Sequence, residues 1–158
     1  MVFFSNGQNQ TIILSTDNYQ FPDINGDDGD EFDKNWLQVN IEVIDNKKSW
    51  KNTDPFLLSY DWLRIAQWFS EIAKLKQPEC DGLCFMEPNI AFQLIEFNRE
   101  NNTIDFDIEL SLECVPAFCK SLFKRKKFVQ YRFCFTSNQC EEISELCKKE
   151  YERFPERK

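Results

Sequence analysis

From Leu37 to Val43 apolar and polar residues alternate, so Leu37, Val39, Ile41 and Val43 share one face of a strand while Gln38, Asn40 and Glu42 share the other. Asp45-Asn46 reads as the turn after it. Lys48–Trp50 is then the returning strand of a hairpin, and Pro55–Leu58 a further short buried strand. The period changes at this point. Trp62, Ile65, Ala66, Phe69, Ile72 and Ala73 recur at spacings of three and four, which predicts a helix over 60–76. Ser59 is placed to cap its start, Asp61 lies in the first turn where the helix dipole favours an anion, and Pro78 and Gly82 close its far end.

In the second half, Ile90–Phe97 and Ile104–Cys114 read as strands joined by an Asn98–Asn102 turn. Along the longer run Ile104, Phe106, Ile108, Leu110, Leu112 and Cys114 point one way. Asp105, Asp107, Glu109, Ser111 and Glu113 point the other, so one sheet face is buried and the opposite one acidic and wet. Phe128–Phe135 adds another strand. Cys140, Ile143, Cys147, Tyr151 and Phe154 then trace the apolar stripe of a final helix over 138–153, begun near Ser137 or Asn138. Between Pro22 and Asn35 the polar, turn-forming Asp23–Asp33 stretch is expected to be an exposed loop between two strands. This order predicts a single α+β domain over residues 1–158: a twisted, mainly antiparallel sheet with one central and one C-terminal helix on its apolar face.

Composition agrees with that picture and narrows the chemistry. A chain of 158 residues with 42% hydrophobic and 15% aromatic residues, only 4 Gly and 6 Pro, is not disordered or collagen-like. At this size folding buries roughly two thirds of the unfolded chain's surface. Acids outnumber bases 27 to 19, for a net charge of −8. Asp17, Asp23, Asp27, Asp28, Asp30, Glu31 and Asp33 are unaccompanied by any base up to residue 33, which leaves 20 acids against 19 bases for the rest. Such a balance argues against nucleic acid as a partner. Histidine is absent, which removes Ser-His-Asp and Cys-His catalysis and His-type zinc sites.

The first residues lack a basic region followed by an apolar core, and no apolar run is long enough to span a bilayer. The chain is therefore expected in a reducing cytosol, with Cys80, Cys84, Cys114, Cys119, Cys134, Cys140 and Cys147 as free thiols, mostly packed like small apolar groups. A metal or redox pair at Cys80/Cys84 or Cys140/Cys147 is the alternative, although no C-x2-C spacing is present.

Three further segments carry candidate chemistry. Asp23, Asn25 and Asp27 place oxygens at alternate positions as a calcium-binding EF-hand loop does, but Asp28 and Lys34 stand where that loop needs Gly and Glu. A solvated acidic loop is the simpler reading. Asp33, Asp54 and Glu87 lie beside aromatic residues and would serve a carboxylate-dependent hydrolase if they met in one cleft. Lys120–Lys127 carries five bases and no acid, and reads as an exposed connection or as an anion site. Gly7, Gly26, Gly29 and Gly82 are too scattered for a phosphate loop. No metal or cofactor is expected.

Three segments taken together resemble the WapI-type bacterial immunity proteins. They are Tyr19-Gln-Phe-Pro22 followed by Asp33-Lys-Asn-Trp-Leu37; Ser49-Trp-Lys-Asn-Thr-Asp-Pro-Phe-Leu-Leu58 leading into the Trp62–Leu75 helix; and Phe85-Met-Glu-Pro-Asn-Ile90. The resemblance spans about residues 17–115. It implies a single α+β domain without catalysis, whose partner is the toxic C-terminal domain of a contact-dependent toxin, and it implies mostly structural roles for Asn35, Trp36, Trp50, Asp54, Pro55, Glu87 and Pro88. Clustered acids suit such an inhibitor when the toxin is a basic nuclease, because opposite potentials speed the encounter and select the partner. Asp27, Asp28, Asp30, Glu31 and Asp33 in the N-terminal loop, with Asp105, Asp107, Glu109 and Glu113 on the long strand, are the expected docking residues. Trp36, Trp50, Trp62 and Trp68 are expected mainly in the core. A hydrolase, or a structural adaptor domain, is the alternative.

Overall fold

The computed structural model describes residues 1–24, 29–120 and 127–158. Two helices among these are long. Helix α2 (Asp61–Ala73) links the two halves of the chain and α4 (Ser137–Arg153) ends it, while α1 (Glu31–Asn35) and α3 (Ala117–Lys120) are short. Strands β1 (Val2–Ser5), β2 (Gln10–Tyr19), β3 (Trp36–Asp45) and β4 (Lys48–Leu58) form one antiparallel sheet in that order. Strands β5 (Gly82–Cys84), β6 (Ile90–Asn98), β7 (Thr103–Ser111) and β8 (Phe128–Thr136) form a second. The α+β class and both main helices are as the pattern predicts, but the strands divide into two four-stranded sheets where one was expected. Alternation tells which face of a strand is buried, not which strand lies beside it. Here α2 intervenes between β4 and β5, so no turn joins the halves into one meander.

Several boundaries move for identifiable reasons. Part of the expected acidic loop is helical, because the Asp30 side chain accepts the Asp33 N–H and caps α1. β4 runs unbroken through Pro55, which an edge strand tolerates since its outer N–H positions need no partner. Leu37 pairs with Leu57 but Gln38 with Pro55, so Phe56 is an extra residue, and Phe56, Leu57 and Leu58 are all buried.

Ser59 does not cap α2. Its backbone N–H is bound to the Asn35 carbonyl at 2.9 Å, and Tyr60 takes the cap position without a side-chain bond. Asp61 turns back to accept the Leu58 N–H at 2.9 Å. The helix stops at Ala73 rather than 76, since Leu75 adopts a left-handed φ of 52° and its N–H bonds Ile72. β7 likewise ends at Ser111. Leu112, at φ 50°, starts a 3-10 turn that leaves its side chain 50% exposed and returns Cys114 to the core. α4 begins as expected, with a reciprocal capping box between Thr136 and Gln139.

Both sheets and both long helices share one core. Phe4 of β1 meets Phe69 of α2 at 5.8 Å between ring centroids, Phe92 of β6 at 5.9 Å and Phe133 of β8 at 6.1 Å. Phe69 in turn meets Phe106 of β7 edge-on at 5.3 Å. The helices are tied by the Ser144 hydroxyl, which donates to the Ala66 carbonyl at 2.8 Å. Trp62 and Trp68 are buried, as expected, whereas Trp36 and Trp50 are half-buried. Trp62 Nε1 donates to Thr16 Oγ1 at 2.9 Å, attaching α2 to β2.

Glu150 of α4 is buried beneath the same end of β2. It accepts the Thr16 N–H at 2.9 Å and pairs with Arg153 at 2.8 Å and with the Met1 ammonium. Burial alone would raise its pKa, but these partners outweigh that and hold the carboxyl below its usual range.

Phe69→Ala removes the ring that joins the two sheets and should destabilise the fold by about 3–5 kcal/mol in a denaturant titration. Because Glu150 has a lowered folded pKa, its contribution is complete above the ordinary carboxylate range and is lost as pH falls through the folded value. Glu150→Gln should therefore cost about 1–3 kcal/mol near neutral pH and show a shallower loss of stability on acidification than the unaltered chain.

Candidate functional site

The acidic strand face expected from the sequence is the outer face of the second sheet, on the side away from α2 and α4. Across β6, β7 and β8 it reads as rows: Glu96–Asp105–Cys134, then Gln93–Asp107–Arg132, then Ala91–Glu109–Gln130. Asp107 is only 8% exposed and holds the Arg132 guanidinium through two bonds, one of them 3.0 Å from Nη2 to Oδ2. That bond, with Asp105 and Glu96 nearby, raises the Arg132 pKa. Asp107 is therefore paired and largely buried, not wet as expected.

Glu109 accepts a long 3.4 Å bond from Gln130, and Asp105 bonds the Cys134 thiol and raises its pKa. Glu96 was missed by simple alternation from Ile90, Phe92 and Leu94, which points it inward. A bulge between Leu94 and Glu96 turns it outward beside Asp105. Beside these rows a 300 Å³ hollow is lined by Cys84, Gln93, Asp107, Glu109 and Gln130.

Glu113 does not join this face, because β7 ends before it. It lies in the 3-10 turn, where Asn89 donates to its carboxylate at 3.2 Å and Asn52 of β4 to its carbonyl at 3.2 Å. Asp54, Glu87 and Glu113 approach one another there. Burial, then Glu113 and Glu87, raise the Asp54 pKa. Two of the stretches that carry the family resemblance thus meet where β4 touches the second half of the chain. Asp33, the third carboxylate considered for hydrolysis, is instead in α1.

The N-terminal acids occupy a separate surface. Asp30 is spent as the α1 cap, Glu31 is exposed and Asp33 half-buried. Asp27 and Asp28, with Asn25 of the calcium-like pattern, lie outside the described residues, as does most of the basic 120–127 segment.

What anchors this surface was not visible in the sequence. Asn35 is fully buried; its side chain donates to the Glu31 carbonyl at 2.9 Å and accepts the Arg157 N–H at 2.7 Å. The Arg157 guanidinium binds the carbonyls of Lys34 at 2.6 Å and Phe21 at 2.9 Å and lies 3.9 Å from the Tyr19 ring centroid. Arg157 is 122 residues from Asn35, so no local pattern announces it.

All seven cysteines are free thiols. Cys114, Cys119, Cys140 and Cys147 are buried as expected, and burial pushes Cys114 and Cys140 up to about 12. Cys80, Cys84 and Cys134 are exposed, so most but not all of the thiols are packed. Among the described residues no group of three or more metal-ligating side chains is arranged around a common point.

Among the described residues the carboxylates are spread over the sheet faces and turns of an α+β domain and are not gathered in one cleft. The family model of the WapI-like immunity proteins matches residues 3–155, and the chain belongs to that family. Its role is toxin neutralisation by binding a cognate toxin protein, not catalysis. The match extends well beyond the 17–115 span of the quoted motifs, through the cysteine-rich C-terminal part. No curated protein and no solved structure matches the chain.

Arg157→Ala should leave the central core intact but loosen the segment it clamps. Amide hydrogen exchange at residues 20–24 and 31–35 should accelerate by at least about tenfold, the equivalent of 1.4 kcal/mol, with β7 and α2 unchanged.

Proposed function

We propose that this immunity protein acts in the cytosol and blocks a basic toxin domain by setting the outer face of its second sheet against it. The carrying observation is that the carboxylates Glu96, Asp105 and Glu109 stand on a face that neither long helix covers, with Arg132 already taken up by Asp107. Glu96 and Asp105 side by side on adjacent strands, with Glu109 about 13 Å further along β7, raise the association rate of a positively charged partner and disfavour an acidic one. A nuclease is the toxin class that fits best, because a domain that binds a polyanion carries the basic surface such a face would cover. The α1 surface, with Asp30 and Glu31 exposed and Asp33 half-buried, is the second acidic contact, and Asp27 and Asp28 adjoin it in the sequence. Free thiols throughout support a reducing compartment. No helix of the described residues is long and apolar enough to cross a membrane.

The test uses the toxin domain captured by the purified protein from lysate of its source cells and released by salt. Reversing Glu96, Asp105 and Glu109 to Lys should weaken its binding by at least about a hundredfold, or 2.7 kcal/mol, and flatten the dependence of Kd on salt. Glu113→Lys, away from that face, should have a much smaller effect. Unchanged affinity in the triple variant would remove the second sheet from the interface.

A further inference from the structure

The outer face of the first sheet differs in kind from that of the second. Its middle cross-strand row reads Phe3, Ile13, Glu42, Lys51. The rows on either side add Ile44 and otherwise hydroxyl and amide side chains, with Asp17 only at the bulged rim. Glu42 and Lys51 pair with each other at 3.0 Å, so the centre of this face carries no net charge in a chain that is 29% charged and −8 overall. Depletion of charge with retained apolar area is what marks the core of a protein interface. Phe3 is 48% exposed there, next to a depression of 620 Å³ lined by Ile13, Ser15, Asn40, Glu42 and Lys51.

We infer that this face binds a second copy of the same chain, forming a two-fold dimer through the first sheet. Charge selects the occupant. Two copies at −8 repel wherever their acidic surfaces meet, and the neutral centre of the first sheet is a surface on which they approach without that cost. A basic partner, by contrast, gains nothing there. The face is also self-complementary, as a two-fold interface must be. Each copy offers a projecting Phe3 and an adjacent hollow, and a two-fold axis sets the knob of each against the hollow of the other. The Glu42–Lys51 pair is complementary to its own rotated image. Four strands spaced about 4.8 Å apart make the face about 15 Å wide, at the low end for a specific interface, so the dimer is a weak one. It leaves the outer face of the second sheet free, and it stands whether or not that face binds toxin.

Sedimentation velocity of untagged protein from roughly 5 to 500 μM, a range bracketing a micromolar Kd, tests the dimer at low and high salt. The sedimentation coefficient should rise with concentration toward that of a dimer, and higher salt should strengthen association by screening the net charge. Ile13→Lys with Ile44→Lys should sediment as a monomer throughout with its thermal transition retained. Phe3→Lys, at a side chain already half in solvent, provides the same readout should the double variant fail to fold. Glu109→Lys, on the other sheet, should still dimerise. A monomer at every concentration, or a dimer that survives Phe3→Lys and is lost in Glu109→Lys, overturns the inference, as does a Phe3→Lys variant that stays dimeric but no longer binds toxin.

Discussion

The contact on which the rest of this structure depends is that of Phe4 with Phe69. Phe4 comes from the first sheet and Phe69 from the helix between the sheets, and both rings reach aromatic residues of the second sheet. With the rings around it, this contact gives each antiparallel meander a cover for its apolar face. The ring cluster spares the molecule a long run of pairing between the halves, and α4 seals it by bonding α2 through Ser144 and β2 through Glu150. The helices thereby turn their apolar stripes to the shared core, and neither long helix lies over the outer face of either sheet.

Those two outer faces are electrostatically unlike, and the difference arises from which charges find partners. On the first sheet one acid and one base cancel across β3 and β4. On the second, Arg132 is the counter-ion of Asp107, and Glu96, Asp105 and Glu109 keep their charge without a basic partner in the same rows. A count of acids along the chain would weigh Asp107 and Glu109 equally. Burial and ion pairing separate them, since a carboxylate already bonded to a guanidinium must give up that bond before it can serve a partner. The same distinction separates Asp30, which caps a helix, from Glu31 beside it.

The two ends of the chain support the acidic region from a distance. Arg157 gathers the carbonyls of Phe21 and Lys34 and stacks on Tyr19, so the C-terminal tail defines where the N-terminal loop leaves and re-enters the fold. A segment already held in one shape loses less conformational entropy when another molecule contacts it. At Phe21 and Lys34 the bonds of Arg157 go to backbone carbonyls and use no side-chain carboxylate.

Read alone, the sequence determined the local elements that its periodicities encode: the inward face of β3, the apolar stripe of α2, the alternation of β7 as far as Ser111, and the capped start of α4. Each depends on neighbours within a turn or a strand pair, and a short pattern records such neighbours fully. The motif stretches also sufficed to suggest the family. Tertiary structure decided the rest. The division into two sheets, the bulges that exposed Glu96 and buried Phe56, the pairing of Asp107 with Arg132, and the clamp of Arg157 on Asn35 and the N-terminal loop all join residues far apart in the chain. A side chain's charge is written in the sequence. Whether that charge is available to a partner depends on what lies across the strand from it, and only the folded chain determines that.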